Sequence, residues 1–155
     1  MLVEYRSKES FITYAKFNDI DDTTVDNKKD FFICIEPSGG PHCDPYFKRQ
    51  HSNVITLKFD DVPEDTRKWG GDFDMWFEAK AMRGYQADEL VKFIKTIPED
   101  ANVHVYCIKG QVRSKAVADF IKETLLNTDE QKPTPGAVNS YYYVKEMLRT
   151  TWTDT

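Results

Sequence analysis

The stretch Val103-His104-Val105-Tyr106-Cys107-Ile108-Lys109-Gly110-Gln111-Val112-Arg113-Ser114 constrains this chain more than any other. It reads as a short buried strand, a tight loop turning on Gly110, and the first turn of a helix that continues through Lys115-Ala116-Val117-Ala118-Asp119-Phe120-Ile121. A cysteine at the end of a strand, then a loop, then an arginine opening a helix is the local order that a phosphate cradle needs. The loop's amide hydrogens and the helix's positive end converge on one anion. Cys107 is placed beneath that anion, and Ile108, Lys109, Gly110, Gln111, Val112 and Arg113 surround it.

Composition limits the partners of such a site. At 155 residues the chain, 1–155, is expected to be a single domain, long enough for one core and too short for two ordinary ones. An apolar fraction of 40 % with 30 % charged residues fits a globular chain. No apolar run approaches the ~18 residues of a membrane span, and the start lacks the basic-then-apolar layout of a signal peptide, so a cytoplasmic protein with no membrane partner is expected. Cys34, Cys43 and Cys107 are odd in number and widely spaced, which is no disulfide framework and leaves a reactive thiol admissible. A net charge of -5 argues against nucleic acid bound through a broad basic face. Phosphate recognition therefore has to be local.

Taken in order, Leu2-Val3-Glu4-Tyr5 alternates like a strand, and Ser7 or Ser10 is the candidate cap of a helix carrying Phe11, Tyr14, Ala15 and Phe17. Phe31-Phe32-Ile33-Cys34-Ile35 is a continuous apolar run, the pattern of a strand covered on both faces, with Cys34 in the core. Pro37 to Asn53 is rich in breakers and reads as a long loop walling the site, with Tyr46, Lys48 and Arg49 available to a substrate. Its His42, Cys43 and His51 match no zinc-ligand spacing. Val54 to Asp61 follows as a strand on which period two places Ile55, Leu57, Phe59 and Asp61 together and Asp60 opposite.

Val62 to Tyr85, centred on Trp69-Gly70-Gly71-Asp72-Phe73-Asp74-Met75-Trp76, reads either as a lid or as a surface excursion pinned by its tryptophans. Gln86 to Ile97 is the clearest helix, with Ala87, Leu90, Val91, Ile94 and Ile97 along one stripe, Asp88 and Glu89 in its first turn, and Pro98 after its end. Val117, Phe120, Ile121 and Leu125 share a face of the helix from Arg113. Pro133-Thr134-Pro135-Gly136 precedes a last helix with Tyr141, Val144 and Leu148 on one side. The alternation of elements predicts an α/β fold with a central, mostly parallel sheet, helices on both faces, and the Cys107 loop at the carboxyl end of its strand.

The run Cys-x-x-Gly-x-x-Arg-Ser at Cys107–Ser114, after a valine-rich strand and before an apolar helix, resembles the active-site loop of the cysteine-dependent protein phosphatases, particularly the compact dual-specificity branch. Tyr106 stands where that family usually has a histidine that orients the loop, and Val112 where the branch often has serine. The resemblance implies a metal- and cofactor-independent hydrolase acting on a phosphorylated protein or small phosphate ester. Cys107 would be the nucleophile, Arg113 the anion clamp, and an aspartate following an upstream strand the general acid. Asp61 is the first candidate, Asp60 the reserve, and Asp72 or Asp74 the choice if their segment folds over the pocket.

The residues suit those roles. Thiols at helix N-termini or beside cations ionise more readily than free ones, and a guanidinium fork binds two equatorial phosphoryl oxygens at once. Ser114 can hydrogen-bond the sulfur as it departs from phosphorus. Lys109 either faces the pocket mouth or is simply solvated. Tyr106 keeps open an alternative, a weak or inactive phosphate- or phosphopeptide-binding module. A sulfurtransferase-like loop ranks lower, because rhodanese-type loops lack this glycine placement.

Overall fold

The computed structural model describes residues 1–41, 43–62, 80–128 and 139–154. The elements run β1 (Val3–Ser7), α1 (Lys8–Phe17), a 3-10 turn (Val25–Asn27), β2 (Phe31–Glu36), β3 (Val54–Lys58), α2 (Gly84–Lys95), β4 (Val103–Cys107), α3 (Arg113–Leu125) and α4 (Asn139–Asp154). The four strands form one sheet in the order β1-β4-β2-β3, and every pairing is parallel. The sheet is thus wholly parallel where the sequence reading asked for mostly parallel. Among the described residues no helix is long and apolar enough to cross a membrane.

Both faces of the sheet are covered, as parallel sheets require. One face presents Val3, Ile33, Ile35, Leu57, Val103, Val105 and Cys107 to the apolar sides of α2, α3 and α4, and this is the larger core. The other presents Phe32, Cys34 and Tyr106 to Phe11 and Ala15 of α1, with Ile20, Val25 and Phe47 closing that layer. Strand alternation therefore sorts the residues around the loop: His104 and Tyr106 face α1, and Cys107 faces the opposite core.

Local chemistry sets the helix starts. Ser7 is the cap of α1: its backbone is extended (φ -69, ψ 158) and its Oγ accepts the amide of Ser10 at 3.1 Å. Helix α2 begins at Gly84, two residues before the sequence-predicted start, because Gln86 works inside the first turn. Its Oε1 accepts the Arg83 amide at 2.9 Å and its Nε2 donates to the Lys58 carbonyl at 2.7 Å, tying the helix to the end of β3. Asp88 and Glu89 consequently fall beyond the first turn. The predicted stripe of Ala87, Leu90, Val91 and Ile94 is buried. On α3, Asp119 is almost fully buried and accepts from Lys115 Nζ at 2.6 Å and Tyr141 Oη at 2.5 Å, which locks α4 onto α3. Burial first, and the bond to Asp119 second, raise the Tyr141 hydroxyl above its usual value, so it stays a donor.

The topology decides where a ligand can sit. The chain leaves β1 on the α1 face and leaves β4 on the other face through α3, and these two strands are neighbours. A crevice opens outside the carboxyl ends of such a pair. The loop after Cys107 lies there.

Candidate active site

Cys107 is the last residue of β4 and Arg113 the first of α3, so the intervening five residues must reverse the chain over the sheet edge. Gly110 makes this possible. Its φ is +67°, and a Cβ at that position would lie 2.3 Å from the Ser7 nitrogen and 2.5 Å from the Arg6 carbonyl carbon, both immovable backbone atoms. The loop is pressed onto the β1–α1 junction, where the Lys8 amide also donates to the Ile108 carbonyl at 3.4 Å.

That compression directs amides at the sulfur. Cys107 Sγ accepts the N–H of Gly110 at 3.3 Å and of Ser114 at 3.4 Å, and lies 3.1 Å from Ser114 Oγ. No side chain caps α3 at Val112, so the sulfur itself takes the first-turn amide of Ser114. The amides of Lys109, Gln111 and Val112 have no acceptor among the described residues. Two amides and the first turn of a 13-residue helix therefore point at the Cys107 sulfur, and the residue is only 2 % exposed.

Arg113 is 7 % exposed and leans across to β3, where Nη1 donates to the Phe59 carbonyl at 2.8 Å. Its remaining donors have no acceptor among the described residues. The two aspartates after Phe59 have separate fates. Asp60 is held, its carboxylate accepting Ser38 N–H at 3.0 Å and Ser38 Oγ–H at 2.5 Å, and so it ties together the loops after β2 and β3. Asp61 is exposed and has no hydrogen-bond or ion-pair partner among the described residues. The regular strand ends at Lys58, and burial on the Leu57 side extends only to Phe59, so alternation does not orient Asp61. Asp72, Asp74 and the Trp69–Trp76 segment lie outside the described residues, as does His42. Lys109 and Gln111 are exposed.

Beside the loop, an open groove of about 530 Å³ runs between α1 and the segment after β2, lined by Lys8, Ile12, Thr13, Pro41, Asp44 and Ile108. Of the residues expected to wall the site, Tyr46 donates its hydroxyl to the Ile20 carbonyl at 2.5 Å, and the Lys48 and Arg49 amides donate to Asp22 at 2.9 and 3.2 Å. These contacts fasten the loop to the α1–β2 connection. His51 is gripped between Asp22 at 2.7 Å and Asp26 at 2.9 Å.

Sequence reasoning missed Glu36 and Lys8. Glu36 ends β2 with no exposed surface; its Oε2 accepts the Tyr106 hydroxyl in a very short bond and its Oε1 accepts Lys8 Nζ at 2.6 Å. Tyr106 thus bonds away from the sulfur, on the α1 face. Burial above all raises its phenol, with Cys34 and Glu36 adding to the effect. The available signal was a lone carboxylate closing an apolar strand, Phe31–Glu36. Comparison with protein-family models, with curated proteins and with solved structures returns no match.

Proposed function

We propose that this chain hydrolyses phosphate monoesters through a phosphocysteine intermediate, in the manner of the phosphatases its loop resembles. The observation that carries the reading is the Cys107 sulfur receiving the amides of Gly110 and Ser114, with Arg113 opening the same helix. The Cys107 thiolate attacks phosphorus, the P–O ester bond breaks, and the leaving alcohol takes a proton from Asp61. Water then attacks phosphorus, Asp61 recovers the proton, and the P–S bond breaks to give inorganic phosphate and thiolate. Arg113 and the loop amides bind the three equatorial oxygens and gain strength as charge spreads over them. Ser114 Oγ, 3.1 Å from the sulfur, supports the thiolate as it leaves. The scheme calls on no metal or cofactor. The groove along Ile108 is the space for the rest of the ester, from a phosphorylated protein or a small molecule.

The test is hydrolysis of an aryl phosphate between pH 5 and 7 by wild type, Cys107→Ser and Asp61→Asn. Cys107→Ser is expected to lose at least ~10³-fold in kcat and Asp61→Asn about 10²-fold, the range for a removed nucleophile and a removed general acid. Equal inactivity of wild type and Cys107→Ser, with vanadate still bound by both, establishes the second reading, a phosphate-binding module. Tyr106 in the usual histidine position favours that reading, because the phenol bonds Glu36 on the face opposite the sulfur.

A further inference from the structure

We propose that Lys8, Glu36 and Tyr106 form a positioning clamp that holds both chain neighbours of Cys107 and thereby fixes the sulfur under its amides; the inference rests on Cys107 being the reactive group. The contacts close a circuit. Tyr106, just before Cys107, donates its hydroxyl to Glu36; Glu36 accepts Lys8 Nζ at 2.6 Å; and the Lys8 amide donates at 3.4 Å to the carbonyl of Ile108, just after Cys107. Lys8 Nζ also donates to the Asp44 carbonyl at 2.5 Å, and the Tyr46 amide reaches the Tyr106 hydroxyl at 3.4 Å, so the loop after β2 braces the same circuit. Gly110 bears on Ser7, the residue before Lys8, so any movement of this junction is transmitted to an amide that bonds the sulfur.

Stability alone does not explain these residues. Glu36 has no exposed surface and by strand alternation shares the sheet face of Phe32 and Cys34, where a well-packed apolar set of the same volume would serve as well or better. A buried ion pair does supply one thing that apolar packing lacks, a single fixed geometry set by directed bonds. In this chain that geometry substitutes for an orienting histidine at position 106. Glu36 and Tyr106 are buried away from the groove and act through Cys107, while Lys8, which also lines the groove, joins them to the loop.

The experiment uses Tyr106→Phe, Glu36→Gln and the pair Lys8→Met with Glu36→Gln in the full chain. Iodoacetamide labelling of Cys107 is followed by mass spectrometry across pH, alongside aryl phosphate kinetics and melting. Tyr106→Phe is expected to slow the labelling of Cys107 about tenfold and to lower kcat about tenfold with KM within about twofold. Glu36→Gln is expected to lose more, and the paired neutral substitution to recover most of the loss. Should Glu36→Gln fail to fold, Tyr106→Phe decides. A folded Tyr106→Phe protein with unchanged labelling and unchanged kcat overturns the clamp, even if it melts lower. If wild type hydrolyses nothing but Tyr106→Phe still slows the labelling, the clamp stands and the hydrolytic reading falls.

Discussion

Cys34 and Cys107 lie on adjacent strands and are equally shut away from solvent, at 0 and 2 % exposure, yet their surroundings are opposite. Cys34 sits on the α1 face among Phe11, Phe32 and Phe47, and burial pushes its thiol well above the ordinary range. Cys107 sits at a strand end where the sulfur accepts two amides and neighbours a hydroxyl. Burial by itself therefore says nothing about reactivity. What separates the two is the kind of donor: side-chain hydroxyls of Tyr106 and Thr56 reach Cys34, whereas backbone amides at the start of a helix point at Cys107. The same contrast answers whether the two could pair: Cys34 is registered against Tyr106 and shares its face, so its side chain points away from that of Cys107.

The sharpest way to break this comparison is labelling. In native wild type near pH 7, Cys107 is expected to react with iodoacetamide at least ~10²-fold faster than Cys34, since thiolate fraction and access govern the rate. Comparable rates, read by peptide mass spectrometry, would remove the distinction. Next in size is Gly110→Ala. The methyl has to occupy space 2.3 Å from the Ser7 nitrogen at a φ of +67°, with an expected cost of about 2–4 kcal/mol in denaturant unfolding and loss of the fast Cys107 reaction. Gly40→Ala is the control: φ is +93° there, but nothing lies within 4 Å, so only about 1–2 kcal/mol is expected.

The smallest effect is electrostatic and belongs to the Cys34 side, where His51 stacks edge-on to Phe47. The hydrogen bond to Asp22 leads in raising the His51 imidazole above its ordinary 6.5, against burial and with help from Asp26. Burial pushes the Asp22 carboxyl up, but its bonds from His51 and the Lys48 and Arg49 amides outweigh this and hold it below its ordinary 3.8. A raised histidine stabilises fully below pH 6.5 and loses that contribution as pH rises through its folded value; the lowered aspartate contributes above 3.8 and fails as pH falls below it. Melting temperature is therefore expected to decline modestly above pH 6.5 in wild type and to lose that slope in His51→Ala, with Cys107 labelling unaffected.

Local patterns carried most of the fold. The apolar run at Phe31–Ile35, the stripe on α2 and the strand–loop–helix around Cys107 each depend on neighbours within a few residues, and the structure has a strand, a helix and a strand–loop–helix there. Boundaries failed where a side chain reached outside its own turn, as Gln86 does toward Lys58. At the site, Cys107, Gly110 and Ser114 were legible because the loop is short. The division of labour between Asp60 and Asp61 was not, since it depends on Ser38, 22 residues away. Glu36 and Lys8 were invisible for the same reason: 28 residues separate them, and only the sheet order brings them under the loop.

The Gly110–Ser7 contact has a consequence for assembly. Ser7 is registered against Cys107 across a sequence separation of a hundred residues, where, among the described residues, β1 is an edge strand paired with β4. Chain that has made β4 but not yet docked β1 has no wall for the loop to turn against. The sulfur gains the Gly110 amide only when the two distant segments meet, so its set of donors is a product of complete folding and not of the loop alone.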